Sequence, residues 1–140
     1  AKRLAREIVS RRKLKPIENT TQLRKLVEQV CRWRAEKGKI HPASKVFLAL
    51  RIEVNQELKD LDEFFDRVVK LMPEGCRVVV ISFHSLEDRI VKQAFVRLAS
   101  DKECAPCLQI LTKKPVVPGQ KEIEANSRAR SAKLRAGETL

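Results

Sequence analysis

The stretch Cys76-Arg-Val-Val-Val-Ile-Ser-Phe83, running without a break into His84-Ser-Leu-Glu-Asp-Arg-Ile90, decides the fold class. Its first half is a β-branched apolar run without glycine or proline, the pattern of a strand buried on both faces of a parallel sheet. Its second half opens a helix. Ser85 at the cap and Asp88 three residues later follow a capping pattern, and Leu86, Ile90, Ala94, Phe95 and Leu98 supply a buried face. Upstream, Phe47, Leu50, Val54, Leu58, Leu61, Phe65, Val68 and Met72 recur at steps of three and four. This spacing predicts a helix of about eight turns over 43–72, unbroken or interrupted near its middle, which Pro73, Glu74 and Gly75 end. Helix, strand, helix in that order is an α/β signature.

The flanks are less regular. Residues 2–13 read as a short basic helix with Leu4 and Ile8 on its apolar side, and Pro16 interrupts it. Thr20 or Thr21 is placed to cap a second helix carrying Leu23, Leu26, Val27 and Val30, which ends before Gly38. Neither helix can bury its face alone, so the two read as part of a helical unit. Beyond residue 100 there are two strand candidates, 108–111 and 129–136, with an extended connection containing Pro115 and Pro118.

Hydrophobic residues make up 43% of the 140, enough for a core. No apolar run approaches membrane-spanning length and the basic N-terminus lacks a signal-peptide core, so a soluble cytoplasmic protein without a membrane partner is expected. The net charge of +12 is uneven: +9 over 1–39, −1 over 40–101 and +4 over 102–140. A polyanion such as RNA gains affinity on basic segments of this kind through counterion release. A solvated basic surface with no partner is the plainer reading. Of the four cysteines, Cys31, Cys76, Cys104 and Cys107, only the last two form a C-x-x-C. No second such pair exists and His41 and His84 are poorly placed to complete it, so reduced thiols and no metal are expected.

Three places invite chemistry. In an open α/β sheet, ligands bind beyond the carboxyl ends of parallel strands, and Ser82-Phe-His-Ser85 lies at such an end and leads into a helix N-terminus, where an anion is favoured. His84 there has two readings, a substrate or proton-transfer contact or a loop residue with a local hydrogen bond. Arg51 falls inside the apolar stripe, about 20° from Leu58 and about 40° from Phe47 and Phe65 on an ideal helix. Burying it calls for an acid, and Glu87 and Asp88 are the candidate partners; the other reading is an arginine that reaches past the stripe to water. In Asn126-Ser-Arg-Ala-Arg-Ser-Ala-Lys-Leu-Arg135, four basic residues occur without an acid. As a strand it would turn Ser131, Lys133 and Arg135 to one side, a face suited to an RNA backbone. The four glycines, Gly38, Gly75, Gly119 and Gly137, are isolated, so no glycine-rich loop is available for a nucleotide-like cofactor.

Three stretches, 41–58, 75–92 and 126–135, resemble the ribosomal RNA small subunit methyltransferase H family closely. The phrase Ile81-Ser-Phe-His-Ser-Leu-Glu-Asp-Arg89 is the most specific, and 1–9 and 111–118 fit the same family in the same order. The resemblance implies an S-adenosylmethionine-dependent enzyme that methylates N4 of a cytidine in 16S rRNA, with the small ribosomal subunit as partner. It implies that this chain is the C-terminal half: 1–44 as part of an inserted helical domain, and 45–140 as the C-terminal part of a Rossmann-like class I methyltransferase domain. The donor-binding loop would lie upstream, so no cofactor residue is assigned here, no catalytic residue is assigned, and the isolated fragment is expected to be inactive. His84, Ser85, Arg128, Arg130, Ser131 and Lys133 match motifs near the substrate side. A non-enzymatic basic RNA-binding module is the alternative; it explains the charge but not the strand opening into a capped helix.

Overall fold

Apolar residues at helical spacing in the first part of the chain close three helices around a small core. In a computed structural model describing residues 1–34, 40–100 and 108–140, these are α1 (Lys2–Leu14), α2 (Thr20–Cys31) and α3 (Pro42–Asn55). Leu23, Val27 and Ala43 are buried, with Leu4, Ile8, Val46 and Phe47 packed against them. Asn19, rather than Thr20 or Thr21, caps α2: its Oδ1 accepts 3.0 Å from the Gln22 backbone N–H. The helix stops at Arg32, which turns left-handed at φ 48°. Pro42 stands in the first turn of α3, where its missing N–H is no loss, and His41 Nδ1 caps it by accepting 3.1 Å from the Ala43 N–H.

The periodic segment 43–72 is two helices. Gln56 (φ 53°) and Asp60 (φ 58°) are both left-handed, and α4 (Leu61–Leu71) starts only after them. The chain divides into compact units after Glu57, with α3 in the helical unit.

The second unit, Leu58–Leu140, is a three-stranded sheet with helices on one face. It contains β1 (Arg77–Ser82), α5 (Ser85–Ser100), β2 (Leu108–Ile110), the short α6 (Gln120–Ala125), a 3-10 turn over Ser127–Ser131, and β3 (Lys133–Thr139). The strand order is β1-β3-β2, and β3 pairs antiparallel with both neighbours. It follows that β1 and β2 run in the same direction and that α5 joins them as a crossover, with β3 wedged between. The expectation of a purely parallel pairing for β1 is corrected accordingly: the observed sheet is antiparallel.

The register places Val80 opposite Arg135, Val78 opposite Gly137 and Ser82 opposite Lys133. Residues directly opposite share a face, so these side chains point together toward α4 and α5. Phe65 and Val69 from α4, and Val91, Ala94, Phe95 and Leu98 from α5, complete the core with Val78 and Leu108. Gly137 is needed where it stands, because a Cβ there would lie 2.9 Å from the Leu108 side chain. Across the helix pair, Arg97 makes a bidentate bond to Asp62, both at 3.0 Å, and a further bond to Asp66 at 2.8 Å. The other face of β1 is bare: Val79 is 56% and Ile81 55% exposed, so the strand is buried on one side rather than two. Among the described residues, no helix is long and apolar enough to cross a membrane.

Candidate functional site

The register fixes where the candidate residues meet. Because Ser82 ends β1 opposite Lys133, which starts β3, the turn after β1 and the 3-10 turn before β3 leave the same end of the sheet. His84, Ser85, Arg128, Arg130, Ser131 and Lys133 therefore belong to, or adjoin, one rim.

At the start of α5 the capping pattern is shifted by one residue from the expected Ser85–Asp88 box. His84 is the cap, its Nδ1 accepting 3.2 Å from the Glu87 N–H. Glu87 Oε2 reaches back to the His84 N–H at 3.2 Å and to the Phe83 N–H at 2.9 Å. The free N–H groups of the first turn are thus satisfied reciprocally by an imidazole and a carboxylate, where a hydroxyl and Asp88 were expected. With Nδ1 accepting, the neutral ring carries its proton on Nε2. That nitrogen is buried and makes no hydrogen bond, although Glu87 Oε1 lies 3.3 Å away. Ser85 is left exposed in the first turn. Ser85→Ala should therefore change the stability of this unit by less than about 0.5 kcal/mol. His84→Ala and Glu87→Ala should each lower it by about 1 kcal/mol. Exchange rates of the Leu86 and Glu87 amides are the direct check; faster exchange in the Ser85 variant alone would restore the expected box.

Shifting the box frees Asp88 for another task. It is buried, and its Oδ1 accepts 2.7 Å from Arg135 Nε while its Oδ2 accepts 3.2 Å from Lys133 Nζ. The Arg135 hydrogen bond is the main reason its carboxyl is held below the ordinary value of 3.8; burial pushes the other way and Lys133 adds to the lowering. The buried arginine expected to meet Asp88 is therefore Arg135, not Arg51. Arg51 is 56% exposed and binds Glu57 in a fork, at 2.8 and 3.1 Å. The helical wheel that put Arg51 in the stripe borrowed Leu58 and Phe65 as neighbours, and the left-handed turn at Gln56 takes both off that helix. Glu87 is likewise committed to the cap.

The basic face of β3 is also corrected. Ser131 lies in the 3-10 turn, outside the strand, and Lys133 and Arg135 face α5 on the inner side. Lys133 keeps 38% of its side chain exposed, so one of its three N–H directions is held by Asp88 and the others face outward. Arg128 and Arg130 sit exposed on the 3-10 turn, which Asn126 caps by accepting 3.1 Å from the Arg128 N–H and Ala129 anchors by burial. No acid pairs with Arg128 or Arg130 among the described residues. The sequence did hold a signal for Arg135, since it lies two positions from Lys133 and two from Gly137 on one strand face. What could not be read was which face of that strand turns inward.

Gly75 occupies the turn before β1 at φ 77°, Gly119 caps α6 and Gly137 is packed under Leu108. None of these forms a loop between a strand and a helix that would cradle a nucleotide. Gly38, Cys104 and Cys107 lie outside the described residues. Cys31 and Cys76 are free thiols.

The family model described as MraW methylase matches residues 1–140. The chain belongs to the MraW methylase family. It is also similar to proteins named ribosomal RNA small subunit methyltransferase H. The one from Oleidesulfovibrio alaskensis is 47% identical over 153 residues, covering 100% of this chain and 47% of that protein. The one from Thermomicrobium roseum is 49% identical over 148 residues, covering 98% and 45% respectively. The one from Clostridioides difficile is 44% identical over 151 residues, covering 100% and 49%. The chain thus spans about half the length of these MraW-family relatives.

Proposed function

We propose that this chain is the C-terminal, RNA-facing half of an S-adenosylmethionine-dependent methyltransferase that modifies N4 of a cytidine in 16S rRNA. The observation that carries this reading is the rim at the end of β1. There Lys133 is fixed by Asp88, while Arg128 and Arg130 stand at the same end of the sheet without an acid partner among the described residues, in a chain matched over its whole length by proteins named ribosomal RNA small subunit methyltransferase H. The same reading makes the second unit the last part of a Rossmann-like domain and the helical unit part of an insertion. The methyl donor is assigned to the half of the relatives that this chain does not span.

The chemistry asks for placement more than for a strong base. The exocyclic amine of cytosine is a weak nucleophile because its lone pair is delocalised into the ring. The donor, when bound in the complete protein, would supply the methyl group, and the residues of this half would have to hold the amine in place and allow its proton to leave. Lys133, Arg128 and Arg130 are suited to holding the phosphates on either side of the target nucleotide, and Ser85 offers a free hydroxyl at the helix start. A nucleoside analysis tests this. 30S particles incubated with labelled S-adenosylmethionine and the complete protein should yield N4-methylcytidine, and Lys133→Ala should lower the rate at least tenfold. The 140-residue chain alone should transfer nothing. RNA binding without any methylated nucleoside would favour the basic binding module, and label on a different atom would refute the N4 assignment.

A further inference from the structure

The outer face of α5 carries charge that the rim does not use. Arg89, Lys92, Gln93 and Val96 are all exposed, and at 100° per residue they fall in one stripe opposite the buried Val91, Ala94 and Leu98. Beside this stripe, between α5 and the residues following β2, lies a cleft of about 210 Å³. Phe95, Val96 and Ile110 give it an apolar side, and Lys92, Lys113, Thr112 and the Asp88-bound Arg135 complete its lining. The stripe and the cleft share Lys92 and Val96, so they form one continuous groove, and no carboxylate lines either part. Several other arginines of this unit are neutralised: Arg67 pairs with Glu63, Arg77 with Glu138, and Arg97 with Asp62 and Asp66. Arg89, Lys92 and Lys113 have no acid partner among the described residues.

We propose that this groove is a second RNA contact, separate from the rim, in which a single strand lays successive phosphates on Arg89, Lys92 and Lys113 and sets one base or ribose against Val96 in the cleft. The proposal rests on the RNA substrate reading above and adds where else the strand runs. Three unpaired cations on a rigid helix and an adjoining loop suit a phosphate track. An apolar side beside them suits the unstacked bases of single-stranded RNA, which sequence-tolerant binders hold in this combination. A duplex would not use the cleft, and an acidic peptide would use the cations but not the apolar side.

Direct titration of the 140-residue chain with a labelled single-stranded RNA of mixed sequence, over a range of salt, tests the groove. Single strands give a slope of log affinity against log salt of about −0.7 per phosphate neutralised. The Arg89→Gln/Lys92→Gln/Lys113→Gln variant should therefore lose about 2 from that slope, and at least tenfold in affinity at low salt, with an unchanged far-ultraviolet circular dichroism spectrum. A control with Lys59→Gln, Lys70→Gln and Lys121→Gln removes as many charges from the same unit, at residues that do not line the groove. If the parent chain binds and the groove variant matches it, or if the control loses as much as the groove variant, the groove is refuted while the RNA reading stands. A parent chain that does not bind RNA even at low salt refutes both. Equal binding of polyglutamate, lost equally in the groove variant, assigns the groove to acidic protein segments and overturns the RNA assignment.

Discussion

Asp88→Ala is expected to lower the stability of the sheet unit by about 3 kcal/mol, well beyond the ~1 kcal/mol typical of a single substitution. The carboxylate is 12% exposed and Arg135 8%, so removing the acid strands a guanidinium between α5 and β3 with no second anion in reach among the described residues. Arg135→Met should be far milder, because a flat apolar chain can fill the same space under Val80 without a charge to satisfy. The contrast between the two variants is the decisive outcome; equal losses would mean that packing, not the charge, is at stake. Trp33 lies in the helical unit, so its fluorescence does not report on this event. Amide exchange along β1 and β3 does. The dependence on pH follows from the lowered carboxyl. A group whose folded value lies below its unfolded one contributes fully above the unfolded value, here 3.8, and loses that contribution as pH falls through the folded value. Acid unfolding of the parent should therefore steepen below about pH 4, and Asp88→Asn should flatten that limb.

Phe95→Ala should produce a loss of similar size, about 3–5 kcal/mol, from a different cause. Phe95 is 2% exposed and meets Phe65 edge-on, with ring centroids 5.8 Å apart and planes at 87°. It is the largest of the α5 residues in the core that α5 shares with α4, Val78 and Leu108. Deleting the ring leaves a cavity that the α4–α5 pair cannot close, because the Arg97–Asp62–Asp66 cluster fixes the two helices farther along. Urea unfolding followed by far-ultraviolet circular dichroism gives the number. A loss under about 1.5 kcal/mol would mean that the helices shift to fill the space. Phe95→Leu should recover more than half of the loss.

The two variants also mark what a reader of the sequence could and could not see. Val78, Phe65, Phe95 and Leu98 declared themselves through period and hydrophobicity, and the strand–helix unit they build was legible. The antiparallel wedge of β3 was not, because strand order depends on which segment enters the sheet last, and no local pattern carries that. The site was legible as a place and misread in its wiring. His84 took the cap because its Nδ1 reaches the Glu87 N–H, which released Asp88 to Arg135. A one-residue shift in the helix start thus reassigned three side chains. Arg51 failed for a related reason. Its phase was computed on a helix that Gln56 breaks, and positive φ at a glutamine has no signature in sequence.

The uncovered side and edge of β1 have a consequence for handling this chain in solution. Arg77–Ser82 is six residues long, without glycine or proline and with a single charge. β3 occupies one of its edges and leaves the other row of amides and carbonyls unpaired among the described residues, beside Val79 and Ile81. Such a strand is a template. Whatever extended segment meets it first can add to the sheet, and in a concentrated sample that segment is another molecule's β1. The same six residues that organise the fold therefore also offer an edge to which a second molecule can add, the kind of strand that sheet proteins ordinarily cover or charge.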